Sequence, residues 1–275
     1  MAFEPERKVD YSIFEEIKLS LADRIMTVTL SNPGRRNALT PGMSVELSRL
    51  WQEIADDAEV SVVILTGEGD SFCSGADLSV LKDADDDEAE VTPVAITSRM
   101  ARRHVMGILD CEKPVIAKVR GPAFGAGVNM ALASDMVFAA PGAKFCDPHV
   151  KAGLVAGDGS VLLWPIAVGF HRAKEYVLTG DPIPAEEAER IGLINRVVPD
   201  EELDAHVQAL AEKLRDLPPH AVNYTKMAMN VALKNMTQSG FEASLAYEVY
   251  SMQTQDHQEA MAAFAERRKG KFRGR

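Results

Sequence analysis

The chain has 275 residues, of which 46% are hydrophobic and 26% charged, with a net charge of −11. That balance describes a globular chain able to bury a large core, and the acidic excess excludes a general nucleic-acid binder, whose affinity rests on basic surface. No apolar run reaches the ~18 residues that span a bilayer, Met1–Asp10 lacks the basic-then-apolar layout of a signal peptide, and Cys73, Cys111 and Cys146 are an odd count without metal-type spacing, so no nucleic acid, membrane or metal is expected and a cytoplasmic location with reduced thiols is the simplest account.

Phe14–Leu21 and Arg24–Ser31 alternate apolar and polar residues around Ala22-Asp23, which predicts a hairpin. Asn32-Pro33-Gly34 ends the second strand. Thr40-Pro41 opens a helix, with Thr40 as N-cap, Pro41 at the first helical position, and Met43, Leu47, Leu50, Trp51 and Ile54 on one apolar face. Val62–Leu65 reads as a short buried strand, Asp83–Glu90 as an acidic surface loop, Ala95–Asp110 as a helix and Pro114–Val119 as another buried strand. Strands alternating with helices predict an α/β core with a mostly parallel sheet. After about Asp200 three helical stretches follow, Glu201–Asp216, Ala221–Met236 and Phe241–Ala265, so the organisation is a core over residues 1–200 and a helical region over 201–275. The last nine residues, Arg267–Arg275, hold six Lys or Arg, a basic end that a solvated tail also explains.

Two junctions carry the chemistry. Ser61–Gly67 leads into the small-residue turn Ser74-Gly75-Ala76, and Pro114–Phe124 leads into Gly125-Ala126-Gly127, which opens a helical pattern. A helix start has unpaired N–H groups and a positive dipole end, so two such turns stripped of side-chain bulk make a candidate oxyanion hole. Taken together, from about Asn37 to Phe272, these segments resemble the enoyl-CoA hydratase/isomerase (crotonase) superfamily.

The resemblance implies a ββα spiral core, assembled as homotrimers or dimers of trimers, and an acyl-CoA substrate, with coenzyme A entering as part of that substrate and no separate cofactor. Motif by motif it puts the carbonyl donors at the Ala76 and Ala126 N–H groups. It puts Arg36 and Ala38 in the loop beside the pantetheine and phosphates, where Arg36 offers forked donors. Ser74, Asp77 and Leu78 match the segment lining the adenine, and Phe264 and Arg267 match residues that close over the CoA of a neighbouring subunit.

The family pattern breaks at the acid–base positions. Where the typical hydratase has two glutamates, this chain has Asn129 and His149, and Asn neither takes nor gives a proton near neutrality. His149 has a candidate partner in Asp158, across a glycine-rich segment; a carboxylate on its far nitrogen would fix the tautomer and stabilise the imidazolium. A His and an Asp at these positions resemble the superfamily's carbon–carbon hydrolases, which cleave β-diketones without CoA. The other reading makes His149 a pocket wall and Asp158 the N-cap of the helix beginning GSVLLW. Cys73 reads as packing rather than a nucleophile, His104 as solvent-exposed, Glu248 as a helix-surface or packing residue within reach of the pocket, and Trp164 as core.

Three functions follow. The first is an acyl-CoA enzyme working through an oxyanion-stabilised enolate, with His149 and Asp158 moving the proton in hydration, isomerisation or hydrolysis. The second is a CoA-independent β-diketone hydrolase with the same hole and pair. The third is a catalytically silent assembly or RNA-binding relative, against which the acidic charge argues.

Overall fold

A computed structural model describes residues 8–77 and 94–275. Leu78 and the acidic stretch 83–90 lie outside the described residues. The opening hairpin is β1 (Ile17–Ala22) and β2 (Ile25–Leu30), antiparallel with Ala22 opposite Ile25. Its turn is Asp23-Arg24, one residue beyond the expected place, with φ of 47° and 63°. A two-residue turn left-handed at both positions matches the twist of the strands it joins, and that keeps Ala22 in the ladder.

The chain then runs through α1 (Pro41–Asp56), β3 (Val62–Gly67), α2 (Val94–Asp110), β4 (Val115–Val119), β5 (Pro122–Phe124), α3 (Ala126–Ala133), β6 (Met136–Ala139) and β7 (Lys144–Cys146). Thr40 Oγ1 accepts from the N–H of Met43 at 3.0 Å, and the expected apolar face of α1 is buried. A 3-10 turn at His149–Ala152 precedes α4 (Ser160–Val168), α5 (Phe170–Thr179), β8 (Ile183–Pro184), α6 (Ala185–Arg190) and β9 (Arg196–Val197). Three helices complete the chain: α7 (Asp200–Arg215), α8 (Pro219–Met252) and α9 (Gln255–Ala265).

The larger sheet has the order β1-β2-β3-β4-β6-β9 and is parallel from β2 onward. A smaller sheet, β5-β7-β8, stands beside it. Strand β3 reads VVIL without alternation because both its faces are covered. Val63 and Leu65 pack with Leu47, Leu50, Trp51 and Ile108 of α1 and α2, whereas Val62 and Ile64 pack with Leu203, Val207 and Ala211 of α7. Helix α7, the first of the 201–275 stretch, therefore forms the back layer of the sheet. Among the described residues, no helix is long and apolar enough to cross a membrane.

The carboxyl-terminal helices differ from expectation in one respect. Instead of breaking near Gly240, α8 runs 34 residues straight through it. A Cβ at Gly240 would stand 3.0 Å from Leu162 Cδ2, so the glycine serves a close approach to α4 rather than a break. The interruption comes at Gln253-Thr254, where Thr254 Oγ1 caps α9 by accepting from the N–H of His257 at 3.1 Å.

Candidate active site

The two small-residue turns meet. The backbone N–H groups of Cys73 and Phe124 donate to Pro122 O and Cys73 O at 3.0 and 2.8 Å, which locks the first turn to β5 just ahead of the second. A methyl placed on Gly125 would lie 3.7 Å from Gly75 Cα and 3.8 Å from His149 Cε1. Ala126 is the first residue of α3, where an N–H has no acceptor within the helix. Ala76 bridges Leu39, but the bonds of that bridge use the Gly75 carbonyl and the Asp77 N–H, leaving the Ala76 N–H without an acceptor among the described residues. Both alanines are reachable, Ala76 exposed and Ala126 half-buried.

The loop before α1 is stitched to the first turn. The Ser74 N–H and Oγ donate to Arg36 O and Arg35 O at 3.1 and 3.0 Å, the Leu39 N–H donates to Gly75 O at 2.8 Å, and the Asp77 N–H donates to Leu39 O at 3.0 Å. Arg36, Ala38, Ser74 and Asp77 are thus brought together, with Ala38 buried and the Arg36 side chain exposed. Buried Asn37, singled out by nothing in its neighbours, pins this loop by donating to Glu68 O and Ser71 O at 2.9 and 2.7 Å. Phe264 and Arg267 stand apart from it, at the end of α9, with Phe264 73% exposed.

His149 is oriented from a different side than expected. Its Nδ1 stands 2.5 Å from Asp147 Oδ1, which also accepts its main-chain N–H at 3.0 Å. Asp158 instead faces Nε2, at 3.8 Å, beside Glu248 Oε1 at 3.9 Å. Those separations exceed a direct hydrogen bond and match one small bridging group. The reason is local: in Asp147-Pro148-His149 the carboxylate closes over the amide two residues on, the turn habit of Asp, and meets the ring at the same time. Asp158 does not cap α4, whose N-cap is Gly159 with no side-chain bond. Its Oδ1 accepts from Asn129 Nδ2 at 2.6 Å, and Asn129 Oδ1 accepts from Ser160 Oγ at 2.7 Å.

These four titratable groups are buried against one another and titrate as a set. Burial opposes the Asp147 charge, but the His149 imidazolium and its hydrogen bonds hold that carboxyl below the usual range. Burial also disfavours the imidazolium, yet Asp158 and Asp147 push His149 up to about 10. Burial pushes Asp158 up to about 6 against the pull of His149. Burial and the Asp158 charge push Glu248 up to about 8. The directions together favour an imidazolium flanked by carboxylates, with Glu248 keeping its proton to higher pH than a free glutamate. Ligand atoms of Asp147, His149 and Asp158 lie within 4.8 Å of one another. The short Nδ1–Asp147 contact is a hydrogen bond that occupies those two atoms, which leaves His149 Nε2 and Asp158 facing each other across the gap.

Two further expectations change. His104 is buried, with Nε2 2.9 Å from Ser44 O, and ties α2 to α1; burial holds it below its ordinary value. Glu248 is 7% exposed and faces the site, because α8 runs unbroken past Gly240 and delivers it there. Cys73 is fully buried, its thiol pushed by burial up to about 12, which removes it as a nucleophile. Trp164 is core. The residue missed in the sequence is Asp147; an Asp two positions before a His, across a proline, was the available signal.

The profile of the enoyl-CoA hydratase/isomerase family matches residues 21–275. The chain belongs to this family. A short-chain-enoyl-CoA hydratase of Clostridium acetobutylicum is 35% identical over 249 residues, 90% of this chain and 93% of that protein. A 1,2-epoxyphenylacetyl-CoA isomerase of Escherichia coli is 33% identical over 253 residues, 91% of this chain and 95% of that one. Among solved structures, an enoyl-CoA hydratase/isomerase from Mycobacterium paratuberculosis superposes with a TM-score of 0.84 at 36% identity, covering 90% of this chain and 97% of that one. The α/β fold with its helical carboxyl-terminal region is that of the enoyl-CoA hydratase/isomerase family.

Proposed function

We propose that this protein acts on an acyl thioester of coenzyme A, binding the thioester carbonyl at the Ala76 and Ala126 N–H groups and stabilising an enolate there. The observation that carries the reading is the convergence of two unbonded main-chain donors at adjoining turns, with His149 Cε1 3.8 Å from where a side chain of Gly125 would begin. An enolate places negative charge on the former carbonyl oxygen, and losing one preorganised donor costs ~2.7–4 kcal/mol of transition-state stabilisation.

Proton transfer falls to His149 and Asp158. Asp147 holds the ring by Nδ1 and leaves Nε2 toward the gap it shares with Asp158. The Asp158 carboxylate takes a proton and the imidazolium gives one, which replaces the two-glutamate arrangement typical of hydratases. Asn129, at one of the matching positions, keeps Asp158 in place. The stitched loop carrying Arg36, Ala38, Ser74 and Asp77 holds the CoA, without a further cofactor. Phe264 and Arg267 close over the CoA of a neighbouring subunit in a trimer or dimer of trimers; exposed Tyr224, Met229 and Met236 on α8 support such a contact, and light scattering on the purified protein tests it.

A second reading, a β-diketone hydrolase, is favoured by one observation: Asn129 and His149 present no carboxylate where a hydratase needs two. Isothermal titration with acetoacetyl-CoA and with a CoA-free cyclic diketone separates them. Micromolar binding of the thioester, weakening as salt rises, is expected; binding of the diketone alone selects the hydrolase.

A further inference from the structure

The acid–base pair leaves one buried carboxyl of the cluster without a task. Glu248 reaches the site from α8, with Oε1 3.9 Å from His149 Nε2 and Oε2 bonded to no described group. Its seat is well fixed. On the same face of α8, Ser244 Oγ donates to Gly157 O at 2.8 Å and Ser251 Oγ accepts from the N–H of Val155 at 3.1 Å, so the helix is bonded on both sides of Glu248 to the segment leading into Asp158. A Cβ at Gly157 would stand 2.7 Å from Glu248 Oε2 and 2.8 Å from Glu248 Cβ, so the missing side chain there is what admits the glutamate.

Burying a carboxyl with an unsatisfied oxygen costs stability. A packing role would be met at less cost by an apolar residue of the same length. The groups facing Glu248 are His149, Asp147 and Asp158, and they leave it in a distinct position. Asp147 is ionised, and the His149 protons are held between two carboxylates. Asn129 cannot exchange a proton. Glu248, buried with one carboxyl oxygen bonded to no described group, is the carboxyl whose surroundings least favour charge and so the one that keeps its proton longest as pH rises.

We propose that Glu248 is a catalytic acid, the group that protonates the enolate carbon. The inference rests on the enolate chemistry proposed above. In the step, the Glu248 O–H bond breaks and a C–H bond forms on the carbon beside the carbonyl. The electron pair comes from the enolate C=C, the C=O re-forms, and the negative charge passes from the oxygen at the Ala76 and Ala126 N–H groups to the Glu248 carboxylate. Asp158, which took a proton earlier in turnover, returns it by way of His149, whose Nε2 stands between the two carboxyls: the imidazolium gives its proton to Glu248 and takes the one on Asp158. The same quench follows water addition to an enoyl thioester and carbon–carbon cleavage of a diketone.

The test joins kinetics to a titration of the resting protein. Crotonyl-CoA and a cyclic diketone are the turnover probes, and acetoacetyl-CoA is the binding probe. Glu248→Gln is expected to lower kcat by about 10²-fold or more, to leave acetoacetyl-CoA affinity within about threefold, and to remove the alkaline limb of the pH–rate profile; Glu248→Asp restores part of the rate. Unchanged kcat and pH profile in Glu248→Gln overturns the proposal, and so does an equal loss of rate and binding, the mark of a structural role. With glutamate carboxyls labelled in ¹³C, the signal absent from Glu248→Gln must titrate above pH 7. If the wild type turns over neither probe, the enolate reading fails and the acid falls with it; where a probe is turned over, a Glu248 ionised by pH 6 overturns the acid alone, and one still protonated at pH 7 supports it.

Discussion

Replacing Asp147 by Asn separates the two carboxylates that flank His149. Asp147 Oδ1 meets both the His149 main-chain N–H at 3.0 Å and Nδ1 at 2.5 Å, so one oxygen sets ring orientation and charge together. A hydrogen bond between charged partners contributes ~1.5–3 kcal/mol, and ~1.4 kcal/mol corresponds to one pKa unit. Loss of the charge should therefore lower the His149 ionisation by about 1–2 units, downward because a negative neighbour of the imidazolium is gone while the burial remains. The amide also has two orientations, and the one that donates to Nδ1 forces the proton onto Nε2. That ring is neutral, a far weaker acid at Nε2 than the imidazolium, so turnover should fall by about 10³–10⁴-fold while the fold persists. The assay is the His149 Cε1–H resonance, assigned by its loss in His149→Gln, followed against pH alongside the pH–rate profile. A His149 titration that does not move in Asp147→Asn refutes the assignment of Asp147 as the orienting group.

Other outcomes are checked more briefly. Asp158→Asn should leave thermal stability nearly intact and abolish most turnover, because the base is removed while a hydrogen-bonding amide remains opposite Asn129; full activity would return the proton role to His149 alone. Ala126→Pro removes a main-chain N–H at a first helical position, where proline is well accommodated, and should cost about 10²–10³-fold in kcat with circular dichroism unchanged. Glu248 and Asp158 keep their protons in the folded state to higher pH than when unfolded, and so does His149. The folded state thus binds more protons, and the contribution of these groups to stability falls as pH rises from about 4.5 through 10. Urea midpoints at pH 5, 7 and 9 should show the decline, and Glu248→Gln should flatten it. Lys226 Nζ lies 2.8 Å from Asp135 and donates to Lys113 O and Ile108 O at 2.9 and 3.2 Å. Lys226→Ala leaves that half-buried carboxylate without its cation, still bonded by the Val115 N–H, and should cost up to about 3 kcal/mol in denaturant melts.

What was legible in the sequence is what short-range chemistry encodes. Thr40-Pro41 marks a helix start because cap and φ restriction act within a few residues, and the unbroken VVIL of β3 marks burial on both faces. The two turns were legible for the same reason: freeing a backbone from side chains takes small residues in a row. The arrangement around His149 was not, because it depends on which of several carboxylates the tertiary fold delivers. Asp147 was close in the chain but overshadowed by Asp158, which offered a more familiar spacing. Glu248, almost a hundred residues away, is placed by an α8 that the glycine at 240 appeared, by propensity alone, to interrupt. His104 was misplaced because an isolated histidine on a helix carries no mark of the carbonyl it will meet.

The two halves of the site differ in how substitution reaches them. The unbonded N–H groups at Ala76 and Ala126 belong to the main chain, so almost any small side chain leaves them where they are, and only a change of backbone path or a proline removes them. The titratable groups beside them come from three separate places: the turn around His149, the segment before α4, and the far part of α8. A single base change alters any one of them without disturbing the donors. Under the proposed chemistry, drift in such a lineage keeps carbonyl activation as a constant and rewrites the fate of the enolate one side chain at a time. That both a short-chain-enoyl-CoA hydratase and a 1,2-epoxyphenylacetyl-CoA isomerase stand at about one-third identity to this chain is what such a division of labour produces.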